Sequence, residues 1–272
     1  MSVSTETIEA PIGYLVNTGE LPVFYQSNVP GERTNFEGER EFQKVTVSNA
    51  RLLPNDFSLD REGFAFVAHT TAVTDFQDDA QLEGVYNAEA EALVREATGA
   101  SRALVFDNTR RSSSQSLREA HNARDPANAA HTDYTDWSAR KRVEDVMGDE
   151  AEALLAKRFA IVNVWRSRAG VIEEWPLALC TWDSVDDAHL HTVERRAYNR
   201  VGQTRHASYD NKNDWYYFPR MTPDEAILIK NYDTETDGRA RYALHTSFDD
   251  PTAPANAAPR ESLETRVFAF FD

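Results

Sequence analysis

The sequence predicts a mainly β fold with packed helices, of the sandwich or jelly-roll type. Three observations predict it. Beyond residue 157, short runs rich in β-branched and aromatic residues follow one another, separated by turn-rich stretches such as 233–238. Only two segments, both upstream, space their apolar residues by three and four as a half-buried helix does. Nothing favours alternating βαβ units, and no glycine fingerprint for a dinucleotide or a phosphate loop is present. With 272 residues, 41% hydrophobic and 11% aromatic, one large core is feasible, and no linker divides the chain into compositionally distinct halves. Residues 1–272 are therefore expected to form a single domain.

Up to residue 77, short β-type runs (12–16, 44–47 and 64–69) are mixed with turn residues. A helix is predicted over 79–97, burying Leu82, Val85, Tyr86, Ala90, Leu93 and Ala97, with Gly99 as its stop. A strand at 103–106 precedes a Ser- and Arg-rich stretch, 107–130, that reads as loop. A second helix spans 137–157, capped by Thr135 or Asp136, with Val143, Met147, Leu154 and Leu155 inward. Gly148 weakens its middle by about 1 kcal/mol relative to Ala, so a break is expected there. Both helices are expected on one outer face of the β layers. Strands are then predicted at 159–166, 175–182, 214–218, 226–232, 241–246 and 264–271.

A formal net charge of −16 argues against nucleic-acid binding, which needs clustered Lys and Arg, and against a polybasic membrane surface. No apolar run approaches the ~18 residues of a spanning helix, and residues 1–13 lack a basic, then apolar, leader pattern. The single cysteine, Cys180, lies in an apolar run and is expected to be a buried, inert thiol. A cytoplasmic protein is expected. Nothing in the sequence reports an oligomeric state.

Among seven histidines, His131 stands in an H-x-D step with Asp133, and His245 closes a β-type run. In an extended segment residues two apart face the same side, so His131 and Asp133 aim at one point. A second histidine from a facing strand would complete a two-His-one-carboxylate set with open positions, the arrangement of non-haem Fe(II) oxygenases. H-x-D alone is weak, since about one chain in two of this composition carries it by chance. Fifteen residues after His245 comes Arg260, with Ser262 two further on. An inward guanidinium beside a hydroxyl is a good fork for a carboxylate. Arg266, an even number of residues later, faces the same side and competes for that role; Arg260 is preferred. The same Arg-x-Ser pattern at Arg110 and Arg111 has no such offset to a histidine. Asn163 and Trp165 share one face of a strand and read as pocket lining, with Arg166 opposite. Trp165, Arg166, Tyr217 and Phe248 are the candidates for substrate contact, although core packing for the tyrosine and ion pairing for the arginine are the commoner roles. Lys230 is either buried with a partner or pointed to water at an edge, and His189 and His191 read as exposed residues of a loop or short helix.

These segments together resemble the iron(II)/2-oxoglutarate-dependent oxygenases of natural-product biosynthesis. The branch includes a cephem C-7 hydroxylase component and the fungal hydroxylase/desaturase proteins related to gibberellin desaturase. The likeness runs through Asp56–Phe64, Val105–Arg110, Ala130–Thr135, Val162–Arg166, Trp215–Ala226, His245–Pro251 and Pro259–Arg266. It implies a double-stranded β-helix core, Fe(II) at His131, Asp133 and His245, and 2-oxoglutarate and O2 as co-substrates. Arg260 with Ser262 matches the element that holds the distal carboxylate of 2-oxoglutarate, with Arg266 and Asn163 as further co-substrate candidates. The implied activity is hydroxylation, desaturation or oxidative cyclisation of a small metabolite by C–H abstraction, releasing succinate and CO2. The sequence departs from many relatives at Asn108, where they carry His. Two rival readings are a zinc hydrolase using the same His/Asp/His site and a jelly-roll binding module without metal.

Overall fold

In a computed structural model, which describes residues 6–25, 35–53, 56–197 and 200–272, the β-type runs pair into two facing sheets. The strands in chain order are β1 (Thr7–Val16), β2 (Val23–Tyr25), β3 (Asn35–Glu37), β4 (Glu39–Asn49), β5 (Phe64–Ala68), β6 (Arg102–Ser112), β7 (His131–Thr132), β8 (Phe159–Ser167), β9 (Leu177–Cys180), β10 (Leu190–Ala197), β11 (Arg200–Ala207), β12 (Trp215–Tyr217), β13 (Glu225–Asp233), β14 (Leu244–Ser247) and β15 (Glu261–Phe270). Among the described residues the larger sheet has the order β1-β4-β12-β9-β14-β7-β11-β10-β2-β3, and the smaller β5-β13-β8-β15-β6. All neighbours in the smaller sheet are antiparallel.

β8 shows why a continuous apolar run becomes a strand here: all nine of its residues are buried, because both faces are covered. Its outward side chains Val162 and Val164, with Val267 and Ala269 of β15, pack beneath Ala90 and Val94 of helix α2. Each such branched side chain contributes about 1.5–3 kcal/mol on burial. Its inward side chains divide. Trp165 meets Ile227, Ile229 and Leu179 between the sheets, whereas Phe159 and Ile161 meet Ala139, Val143 and Met147 of helix α4.

The helices are α1 (Asp79–Gln81), α2 (Asn87–Thr98), α3 (Gln115–His121), α4 (Asp136–Met147) and α5 (Ala151–Leu155), with one π-type turn, Leu82–Tyr86, joining α1 to α2. Gly99, at φ 72°, ends α2 as predicted. Thr135 caps α4, accepting from the Ser138 amide at 3.1 Å, and Gly148 at φ 54° breaks the second helix. The helices do not share one outer face: α2 covers the outside of the smaller sheet, whereas α4 closes over one end of its inner side.

Two further expectations are corrected. β6 continues to Ser112, through residues predicted as loop, and α3 follows in the same stretch. Arg110 and Arg111 belong in a strand because each finds a carboxylate, Asp79 at 2.6 Å and Glu264 at 3.1 Å. His189 ends a short 3-10 helix, Asp187–His189, as expected, but His191 lies in β10, and both are half-buried and hydrogen-bonded to Ser208 Oγ. Lys230 is buried with Asp60 and Asp233 as partners. The outer face of the larger sheet is covered by Ile8, Ala10 and Ile12 of β1, against Ala178, Cys180 and Leu244. Cys180 is the buried thiol expected, pushed up to about 12 by burial. Where β1 crosses the approach to β7, the Gly13 carbonyl accepts the Ala130 amide at 2.8 Å. A Cβ on Gly13 would lie 2.3 Å from the Asn128 carbonyl oxygen, so only glycine allows the crossing. Among the described residues no helix is long and apolar enough to cross a membrane.

Candidate active site

β14 and β7 are neighbours in the larger sheet, and their register sets His245 directly opposite His131, ring centroids 4.5 Å apart. Asp133 follows immediately on β7, and one donor atom from each of the three lies within 4.8 Å of the others. Each histidine points Nδ1 at the carbonyl two residues before it, His131 at Ala129 (2.7 Å) and His245 at Ala243 (3.0 Å). A donated Nδ1–H fixes the tautomer and leaves Nε2 with its lone pair for a cation. Burial, reinforced by the charge of His131, pushes His245 down to about 4, so its ring is neutral at neutral pH.

The carboxylate is oriented from the other sheet. Asp133 Oδ2 accepts from Asn163 Nδ2 of β8 at 2.9 Å and from Arg266 Nε of β15 at 3.0 Å. The Asp133 amide donates to Asn231 Oδ1 of β13 at 3.2 Å. Oδ1 remains directed at the histidines, 3.5 Å from His131 Nε2. Burial alone would raise this acid, but the Arg266 guanidinium outweighs it and holds Asp133 well below the usual carboxylate range. Two imidazoles that offer Nε2 and one ionised carboxylate suit Fe(II).

A small pocket beside the histidines is lined by Trp165, Leu177, Ile229, Arg260 and Glu264. Arg260 is 1% exposed; one of its terminal nitrogens donates to the Trp175 carbonyl, and its Nε meets no partner. Ser262 Oγ is buried without a partner as well. Burial, with Arg111 adding like charge, lowers the Arg260 guanidinium, a cost that a bound carboxylate would relieve. A buried cation and hydroxyl with unused donors fit the distal end of 2-oxoglutarate.

Other candidates lie elsewhere. Arg266 is fully engaged, by Asp133, by Asp107 at 2.5 Å, by Thr109 at 3.1 Å and by Glu264. It orients Asp133, and each of its three nitrogens already has a partner. Asn163 likewise holds Asp133. Trp165 lines the pocket, its Nε1 unused. Arg166 is on the outer side of β8, bonded to His69 and the Pro223 carbonyl and set over the Phe76 and Tyr86 rings, across the sheet from the His131–Asp133–His245 cluster. Tyr217 and Phe248 pack edge to face at 5.7 Å in the core outside the larger sheet, again away from the His131–Asp133–His245 cluster. Asn108 bonds Asn87 of α2 and Thr265, a structural role. Asn231, Asp107 and His206 were not foreseen. His206 lies opposite His131 on β11, its ring 5.6 Å away, a neighbourhood that only strand register reveals.

A family model described as an oxidoreductase/YMDC permease-like domain matches residues 12–270. The hydroxylase/desaturase CTB9 of Cercospora beticola is 34% identical over 254 residues, covering 85% of this chain and 78% of that protein. The Fe(II)/2-oxoglutarate-dependent dioxygenase nvfI of Aspergillus novofumigatus is 32% identical, covering 84% of this chain and 83% of its own. A solved structure of the iron and alpha-ketoglutarate-dependent endoperoxidase NvfI superposes with a TM-score of 0.85, covering 98% of this chain and 99% of that one at 28% identity. The facing sheets are thus the jelly roll of these enzymes, and the chain belongs to this oxidoreductase family, the Fe(II)/2-oxoglutarate-dependent dioxygenases of the hydroxylase/desaturase kind.

Proposed function

We propose that a single double-stranded β-helix domain, residues 1–272, hydroxylates, desaturates or oxidatively cyclises a small natural-product-type metabolite. His131, Asp133 and His245 would hold Fe(II), and Arg260 with Ser262 would receive the distal carboxylate of 2-oxoglutarate. The observation that carries this reading is the pair of unused buried donors, Arg260 Nε and Ser262 Oγ, in and beside the pocket that the two histidines line. When bound, Fe(II) with 2-oxoglutarate and O2 supplies the oxidant for C–H cleavage, with succinate and CO2 released.

The chain's own residues bind, orient and exclude water. The two carbonyl-anchored imidazoles present Nε2 from one side, and Asp133 presents Oδ1 because Asn163 and Arg266 occupy Oδ2. Trp165, Leu177 and Ile229 give the co-substrate pocket an apolar wall that keeps bulk water from the reacting centre. A zinc hydrolase would share the His/Asp/His set but has no use for a buried carboxylate fork. His131→Ala or Asp133→Ala is expected to abolish succinate release and weaken Fe(II) binding while circular dichroism stays native. Full turnover by either variant with added Fe(II) would sink the ligand assignment. Metal analysis combined with succinate release separates the oxygenase from the hydrolase.

A further inference from the structure

A second cavity, of about 230 Å³, opens on the Asp133 side of the cluster, between α4, the β10–β11 hairpin and the middles of β6 and β15. The His131 and His245 side faces the Arg260 pocket instead, so the proposed metal position lies between two chambers of different chemistry. Seven of the residues lining this cavity are Arg or Lys and three are Asp, a local excess of four positive charges in a chain of net charge −16. The three aspartates are already engaged, Asp107 and Asp133 by Arg266 and Asp145 by Lys141. Arg124, Arg142 and Arg200 of the same wall have no ion-pair partner among the described residues. Arg142 is half-buried over the Phe106 ring, 5.1 Å from its centroid. Burial and neighbouring guanidiniums lower both Arg124 and Arg142, so the wall carries positive charge at a cost. Beside these cations the lining includes two exposed apolar side chains, Trp137 (48% exposed) and Val201 (47%). A cleft walled by one sign of charge concentrates ligands of the opposite sign.

We propose that this cavity is the substrate chamber and that it selects an amphipathic organic oxyanion, a carboxylate or phosphate ester, with its apolar body on Trp137 and Val201 and its anionic group on Arg124, Arg142 and Arg200. The proposal rests on Asp133 being an iron ligand, since that places the chamber next to the reacting centre.

The test uses the anaerobic holoenzyme loaded with Fe(II) and 2-oxoglutarate, probed with naphthoate, naphthyl phosphate and naphthamide by ligand-observed NMR. At least one of the two anions is expected to bind about tenfold or more tightly than the isosteric amide. Tighter naphthoate points to a carboxylate substrate, tighter naphthyl phosphate to a phosphate ester. The preference should shrink with added salt and vanish in the Arg142→Gln/Arg200→Gln double variant, with Arg124→Gln giving a partial loss. Binding of neither anion more tightly than the amide, binding of none of the probes, or a preference that survives the double variant overturns the proposal. Arg260→Ala separates the two readings: it should lose 2-oxoglutarate and leave the apo-enzyme's naphthoate preference intact. If the double variant loses 2-oxoglutarate affinity instead, the basic chamber belongs to the co-substrate and this assignment is wrong.

Discussion

Arg260, just ahead of β15, and Arg266, within it, are set an even number of residues apart, yet all three nitrogens of Arg266 are bonded while Nε of Arg260 meets nothing. Company, and not position, separates their roles. Removing Arg260 with Arg260→Ala deletes a charge-assisted fork worth ~1.5–3 kcal/mol, about a tenfold to hundredfold rise in the apparent constant for 2-oxoglutarate. Fe(II) affinity measured by titration should stay nearly unchanged. Arg260→Lys should recover only part of the loss, because an ammonium cannot reproduce the planar fork. Arg266→Ala should do the reverse, freeing the Asp133 carboxylate and lowering Fe(II) affinity by about 10–100-fold, as loss of a ligand's orienting partner does. If Arg266→Ala spares iron and loses 2-oxoglutarate, the two roles are exchanged. Much of this was legible in the sequence, since period-two alternation puts 260, 262, 264 and 266 on one face. What alternation cannot show is which arginine meets a carboxylate from another strand, and Asp107 was hidden in a stretch too polar to read as β6.

Strand β1 illustrates the elements that sequence reading undervalues. Its short apolar run was visible, but its path over the outside of the larger sheet depends on Gly13 and on pairing with β4 across more than 20 intervening residues. Gly13→Ala pushes a methyl group against the Asn128 carbonyl, an overpacking that costs typically ~1–3 kcal/mol. The thermal midpoint should fall. Because Gly13 also anchors Ala130, next to His131, Fe(II) affinity should fall with it; a stability loss with unchanged iron binding would show that β1 does not help position β7. The same limit explains α4. Its cap, apolar face and break at Gly148 are local and were read correctly, whereas the face of the sheet it covers is a tertiary fact and was not.

For the whole molecule, the telling group is Asp233, fully buried at the end of β13 between Arg158 at 2.8 Å and Lys230 at 3.2 Å. Burial raises such an acid, but the hydrogen bonds from Arg158 and the Glu235 amide, with the charges of Lys230 and Arg158, outweigh it and hold it below its ordinary value. A carboxyl depressed in the folded state binds its proton more readily when unfolded. Its contribution to stability is therefore complete above the unfolded value of about 3.9 and is lost as pH falls through the lower folded value. Asp233→Asn should cost about 3 kcal/mol at pH 7, by taking the carboxylate from Arg158 and leaving Lys230 with Asp60 alone, and should flatten the acid limb of a urea-midpoint profile. A variant whose midpoint falls equally at pH 7 and pH 3 would contradict the linkage.

The cluster of His131, Asp133 and His245 also spans the sandwich. Its imidazoles ride on the larger sheet, while Asp133 is gripped from three strands of the smaller sheet, its carboxylate by Asn163 and Arg266 and its backbone amide by Asn231. As the proposed ligand set, the three would work as a caliper whose jaws are the two layers. Fe(II) closing it would brace the sandwich, raising the unfolding midpoint with occupancy. In the other direction, the grip on the cation gauges the thickness of the core, so Ile227→Ala, which thins the filling near Trp165 without touching a ligand, should loosen iron as well as the fold.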